Sequence, residues 1–190
     1  VFKDDYFKFE ELTGVEVHGI IGANVFGKFV LDINYQKRII RLHDPFYFTP
    51  PTEKYAVLPI TVFKGKPYLI TKTKLDNISR SIDIKLLIDT GASLTLLLYT
   101  DTHASIIIPP NVIKGTIGLR VGGHLEGFLG RIHELEMASL KLNNVVTSFQ
   151  EIHELIDTSF LNGRNGIVGN LILDRFEVII DYQRQKLFLK

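Results

Sequence analysis

Two stretches of this 190-residue chain repeat each other at a separation of 147 residues. Gly19-Ile20-Ile21-Gly22-Ala23-Asn24, Lys28-Phe29, Asp32 through Lys37 and Leu42 stand without a gap opposite Gly166-Ile167-Val168-Gly169-Asn170, Arg175-Phe176, Ile179 through Arg184 and Leu189. Solenoid repeats recur every ~20–50 residues, so a period this long implies two domain-sized copies rather than an array of small units. The second copy has its full length, whereas only the closing part of the first is present. The expected division is therefore residues 1–42 as the remnant of a first lobe, 43–54 as a linker and 55–190 as a complete second lobe. Pro45, Pro50 and Pro51 support the linker, because a central strand cannot accept three prolines so close together.

Strand signals dominate the rest. Phe29 to Asn34 and Arg38 to Leu42 read as a hairpin, and Phe176 to Asp181 with Lys186 to Leu189 read as its counterpart. Tyr55 to Phe63 and Pro67 to Thr71 flank Lys64-Gly65-Lys66 as another hairpin, and Ile82 to Ile88 is an apolar strand. Thr116 to Val121 and Gly127 to Met137 flank Gly122-Gly123 as a long hairpin. Asn170 to Arg175 is the one short helix expected.

Where the strand ending at Ile88 gives way to a turn stand Asp89-Thr90-Gly91-Ala92-Ser93. Gly91 lets the backbone pass close to the carboxylate, Thr90 can hydrogen-bond to an equivalent loop of a second copy, and Ser93 can hold an outer carboxylate oxygen. The plain alternative is an Asp-Gly turn that merely ends a strand. Asp-Thr-Gly alone recurs in many proteins, but two apolar residues followed by Asp-Thr-Gly-Ala-Ser is considerably rarer.

On these residues the chain resembles the bacterial retropepsin-like and pepsin-like aspartyl proteases, over about 55–190 as one lobe and 15–42 as the tail of another. The resemblance implies an all-β (mainly β) fold: a closed β-barrel lobe with a flap hairpin, plus the tail of a second, homologous lobe. Leu94 to Leu98 match the apolar strand after the catalytic turn, Gly122 and Gly123 the flap, and Ile167-Val168-Gly169 the apolar-apolar-Gly segment that packs behind the turn. Asp89 is then the catalytic carboxylate, with Thr90, Gly91 and Ser93 in support. The matching first-lobe turn, 147 residues before Asp89, would lie ahead of Val1. The second carboxylate is accordingly expected from a missing N-terminal lobe or from a second chain in a homodimer. The substrate implied is a polypeptide in extended conformation, and the chemistry needs neither cofactor nor metal. Two-lobed bacterial relatives are often exported, which points to a periplasmic or secreted location.

Other chemistries fit less well. Gly22 to Gly27-Lys28 has the spacing of a phosphate-binding loop, but Phe29 stands where a metal-ligating Ser or Thr is required. His153-Glu154 with Asp157 lacks the second His of a zinc helix and reads as a solvated segment. Ser93 sits in no Gly-x-Ser-x-Gly elbow. Asp32 and Asp181, which are not equivalent in the repeat, read as strand-end surface residues. A net charge of +1 with scattered Lys and Arg gives no footprint for nucleic acid. The chain has no cysteine and no apolar run long enough to span a membrane. One rival from another class stays open, an inactive module of the same fold that holds peptides or protein partners in its cleft without cutting them.

Overall fold

The computed structural model describes residues 14–51, 53–120, 123–152 and 161–190. In chain order its elements are the one-turn helix α1 (Ala23–Phe26) and strands β1 (Val30–Asn34), β2 (Ile39–His43), β3 (Ala56–Phe63), β4 (Lys66–Lys74), β5 (Ile82–Ile88) and β6 (Leu96–Tyr99). There follow β7 (Ile113–Arg120), β8 (Gly123–Met137), β9 (Leu140–Gln150), β10 (Gly166–Val168), the one-turn helix α2 (Asn170–Leu173), β11 (Glu177–Asp181) and β12 (Lys186–Leu189). The fold is mainly β, as expected. Its 12 strands form one sheet in the order β2-β1-β11-β12-β3-β4-β5-β10-β6-β9-β8-β7. A further pairing of β4 with β8, Thr73 opposite Leu135, turns β4-β5-β10-β6-β9-β8 into a closed ring. Thr71 and Thr73 reinforce the closure by donating to the carbonyls of Glu136 (2.6 Å) and Glu134 (2.7 Å).

Alternation along the strands fills that ring. Leu69, Ile84, Leu86, Leu96, Leu98, Leu135, Met137, Phe149 and Val168 form its core, and Leu31, Ile33, Val178, Ile180, Leu187 and Leu189 extend the same cluster under the hairpins. The opposite face of the hairpin sheet carries a second, small cluster of Val30, Ile179 and Phe188, covered by Phe48 and Tyr55. Phe48 and Tyr55 thus bring their segments against this face, where Arg184 Nη2 donates to the Pro45 carbonyl (2.9 Å).

The hairpins β1–β2 and β11–β12 share one register. Leu31 pairs with Leu42 and Ile33 with Ile40 in the first; 147 residues on, Val178 pairs with Leu189 and Ile180 with Leu187 in the second. Their turns match as well. Asn34 Oδ1 accepts the Lys37 N–H and Asp181 Oδ1 accepts the Arg184 N–H, both at 2.9 Å, and the left-handed residues that follow are Arg38 (φ 54°) and Gln185 (φ 52°). A short polar side chain closing its own turn is what lets a non-glycine loop form here. β1 and β11 then pair antiparallel, Val30 with Asp181, Asp32 with Ile179 and Asn34 with Glu177. Exchanging the strands by the repeat offset turns each pair into another of the same ladder, so a local two-fold axis passes through Asp32 and Ile179.

Several expectations need correction. Asp181 is not a surface residue: its side chain is 0% exposed and ion-paired with Arg184 at 2.8 Å. Asp32 is 18% exposed and lies 3.3 Å from both Arg41 Nη1 and His43 Nε2. The strand β9 was missed, because Asn143-Asn144 reads as a turn; the ladder with β8 skips Asn144, whose φ is 55° and whose carbonyl accepts from Arg131 (2.7 Å). The second helix stops at Leu173 rather than Arg175. Gly123 is the first residue of β8 rather than part of a turn. Gly122 and the segment His153-Glu154 to Asp157 lie outside the described residues.

Below the sheet, the Tyr55 hydroxyl donates to Glu177 Oε2 (2.9 Å), and Asn34 and Lys190 donate to the same carboxylate. Burial, helped by the hydrogen bond to Glu177, raises the Tyr55 pKa to about 12. Burial and the nearby Asp174 carboxylate raise Tyr35 to about 12 as well. Both phenols hold their protons more tightly in the folded chain than the ordinary value of 10.0. Their contribution is thus complete below pH 10 and lost as pH rises towards about 12. Urea midpoints should fall over that window, and the Tyr35→Phe/Tyr55→Phe pair should flatten the fall. An identical profile in the double variant would contradict this origin.

Candidate catalytic turn

The geometry around Asp89 comes from one unusual insertion. β10 lies between β5 and β6, parallel to the first with Val168 opposite Ile88, and antiparallel to the second with Val168 opposite Leu96. The turn that joins β5 to β6 must therefore wrap around the end of β10. The Asp89 N–H donates to the Val168 carbonyl (3.0 Å), Gly169 N–H to Thr95 O (3.0 Å), Asn170 N–H to Ala92 O (2.8 Å) and Leu171 N–H to Leu94 O (3.1 Å). These four bonds, made by Val168, Gly169, Asn170 and Leu171, fasten the turn from behind.

The strand must come very close. A Cβ at Gly166 would sit 2.0 Å from the Leu97 carbonyl oxygen, and one at Gly169 would sit 2.3 Å from that of Leu94. Only glycine allows backbone to approach backbone at these two places.

Within the turn, Gly91 N–H donates to Asp89 Oδ1 (2.9 Å) and Ala92 N–H to the Asp89 carbonyl (3.3 Å). Asp89 is half-buried just beyond the end of β5, its carboxylate held by a backbone donor and by no ion pair among the described residues. Gly91 is not in the left-handed region, and a Cβ there would stand 3.4 Å from Asp89 Oδ1, an ordinary contact. Its N–H, not its freedom, is what acts on the carboxylate inside this lobe. Ser93 is exposed, and its hydroxyl makes no hydrogen bond to Asp89, contrary to expectation. Thr90 is half-buried, and its hydroxyl has no partner among the described residues.

No protein-family model matches the chain, and no curated protein matches it. Among solved structures it is similar to a retropepsin-like aspartic protease from Rickettsia conorii. The identity is 17%, with 73% of this chain and 96% of that chain covered and a TM-score of 0.49.

Around the turn, the hairpin β7–β8 closes with Arg120 opposite Gly123 and is kinked where the ladder shifts between Thr116 and Gly118. Thr116 Oγ1 bonds Glu126 Oε1 (2.7 Å) across it. A small cavity of about 140 Å³ on this hairpin is lined by Lys114, Glu126, Gly127, Phe128 and Glu151 and does not include Asp89. No group of three or more His, Cys, Asp or Glu among the described residues could hold a metal. No helix among them is long and apolar enough to cross a membrane.

One residue the sequence did not flag is Asn165. Its side chain accepts the Lys85 N–H (2.8 Å) and donates to Thr102 O (3.3 Å), while its backbone bonds Lys85 O (2.7 Å) and the Tyr99 N–H (2.8 Å). Asn165 therefore clamps the entry of β10 to both neighbours. Asn165→Ala strands the Lys85 N–H and should cost about 1–3 kcal/mol. For a chain of this size that is a fall in Tm of roughly 2–12 °C. A Tm unchanged in the Ala variant would show that the clamp is dispensable. The position before a repeated glycine was the available signal.

Proposed function

We propose that the chain is part of an aspartic endopeptidase in which Asp89 supplies one of two carboxylates. The observation that carries this reading is the Asp89 turn itself: a half-buried carboxylate at a strand end, hydrogen-bonded by Gly91 N–H and held from behind by Val168 and Gly169. Two such turns related by the axis through Asp32 and Ile179 would bring two carboxylates face to face. Carboxylates that close cannot both ionise cheaply, so they share one proton. The ionised member takes a proton from a water as it attacks the peptide carbonyl, and the protonated member supports the developing oxyanion. As the intermediate collapses and the C–N bond breaks, the aspartate that took the proton from water returns it to the leaving amine. Apparent pKa values would belong to the pair, not to Asp89 alone. The substrate would lie extended under the β7–β8 hairpin, the flap in this reading. Thr90 would find its hydrogen-bond partner in the facing turn.

In this reading residues 1–42 belong to a first lobe, 43–54 form the linker and 55–190 the second lobe. A non-cutting peptide-binding module is the competing reading, and a facing turn without an aspartate would favour it. The experiment is to incubate the 190-residue chain, and separately a protein in which a facing lobe is supplied, with an unfolded polypeptide across acid to neutral pH. Mass spectrometry should find new termini only with the second. No cleavage by either would leave the binding module.

A further inference from the structure

The face of the hairpin sheet that carries Val30, Ile179 and Phe188 changes character along β3. Phe188 stands opposite Val57, so Val57, Pro59, Thr61 and Phe63 keep to the same face. Lys186 stands opposite Pro59, and Lys66 opposite Phe63. The turn that carries Phe48 lies against this face as well, its Pro45 carbonyl accepting from Arg184 Nη2 at 2.9 Å. Next to Arg184, Gln185 accepts the Ile60 N–H on its carbonyl (3.0 Å) and the Val62 N–H on Oε1 (3.4 Å). The Phe48 turn, the β11–β12 turn and the end of β3 are thereby joined in one margin.

Three aromatic rings on that margin face water. Phe46 is 84% and Tyr47 80% exposed, packed edge to face at 5.0 Å, and Phe63 is 45% exposed with Lys64 Nζ 5.4 Å from its ring centre. Beside them Lys64, Lys66 and Lys186 are exposed and make no ion pair among the described residues. Carboxylates are scarce here. Asp181 is buried against Arg184, which neutralises that pair, and Asp44 accepts the Phe46 N–H on Oδ1 (2.8 Å). Three lysines against Asp44 leave the margin positive.

We propose that this margin is a membrane-surface site, at which Phe46, Tyr47 and Phe63 enter the interface of an anionic bilayer while Lys64, Lys66 and Lys186 meet its lipid phosphates. Aromatic side chains settle at headgroup depth, and cations beside them are drawn to the negative surface. The Tyr47 ring suits that depth, with an apolar body and a hydroxyl that stays wet. Other partners fit less well. A nucleic-acid strand stacks its bases on rings presented flat, whereas Phe46 and Tyr47 stand at 86° to one another. The centre of a protein interface is poor in lysine, whereas Lys64 lies over the Phe63 ring itself. The proposal asks nothing of Asp89 and stands apart from the peptidase reading.

Sedimentation with phosphatidylcholine vesicles, made with and without phosphatidylglycerol, tests this on the 190-residue chain. Binding should be at least ~10-fold stronger to the anionic vesicles and should weaken as salt is added. Lys64→Gln/Lys66→Gln/Lys186→Gln should remove the preference, at about fivefold per lysine. Phe46→Ser/Tyr47→Ser should weaken binding to the anionic vesicles by at least ~10-fold with Tm unchanged, because both rings already lie in water in the folded chain. Ile78, 89% exposed between β4 and β5, is the control: Ile78→Ser removes an equally exposed apolar side chain and should change nothing. The chain has no tryptophan, so the single indole of Tyr47→Trp should report entry by a blue shift of its emission on anionic vesicles alone. Absence of vesicle binding, equal binding to both vesicles, a loss with Ile78→Ser as large as with the aromatic pair, or an RNA oligomer that binds where vesicles do not would each overturn the proposal.

Discussion

In the two-lobed endopeptidase proposed above, Asp89→Asn is expected to lower kcat for peptide cleavage by at least ~10²–10⁴-fold while leaving the fold intact. Asn has nearly the same shape as Asp, and its amide oxygen can still accept the Gly91 N–H that Asp89 Oδ1 accepts at 2.9 Å. The turn is otherwise tied by backbone bonds to Val168, Gly169 and Asn170, which the substitution does not touch. What disappears is a carboxylate able to carry negative charge and exchange a proton with water. The loss should therefore fall on kcat, because the interaction removed exists only as the reaction proceeds. Full turnover in the folded Asn variant would make Asp89 a turn residue only. Robust, Asp89-dependent cleavage by the monomeric short chain would instead mean that a second carboxylate works within it.

How much of this was legible in the sequence follows from how local each signal is. The hairpins β1–β2 and β11–β12 could be read because each turn carries its own instruction, Asn34 or Asp181 closing on the N–H three residues later. The position of Asp89 at a strand end could be read because seven consecutive residues, Ile82–Ile88, announce β5. β9 could not, since Asn143-Asn144 looks like a turn until β8 is present to absorb the irregularity. The burial of Asp181 was equally hidden: it sits between Val30 and Lys186 only once the sheet is assembled, and its charge is met by Arg184. Ser93 misled for the opposite reason. Its spacing permits a bond to the carboxylate, but the chain turns it outward to solvent. Least visible was the insertion of β10, whose three residues pair with Leu86–Ile88 on one side and Leu96–Leu98 on the other. No propensity encodes a pairing across 80 residues (Leu86 to Gly166).

That insertion sets the largest stability effect expected of any single substitution here, at Gly166. Gly166→Ala adds one methyl group whose ideal position is 2.0 Å from the Leu97 carbonyl oxygen and 3.1 Å from Leu98 Cδ2. The obstacle is backbone in a fully paired central ladder, so no side chain can swing away to make room. β10 must move off β6, and Gly166 is at the very pair, opposite Leu98, where that ladder begins. Overpacking of this kind costs roughly 3 kcal/mol or more at the upper end of its range. The corresponding fall in Tm is about 6–12 °C for a chain of this length. The displacement would also pull Val168 from the Asp89 N–H, so the Asp89-dependent cleavage proposed above should fall even at temperatures where the variant is folded. Gly163→Ala provides the contrast. That residue has a positive φ of 67° but nothing within 4 Å of its Cβ position. Its penalty is conformational, about 1 kcal/mol. Thermal melts in which Gly166→Ala is no worse than Gly163→Ala would mean that β10 does not thread between β5 and β6, and the support of the Asp89 turn would have to be sought elsewhere.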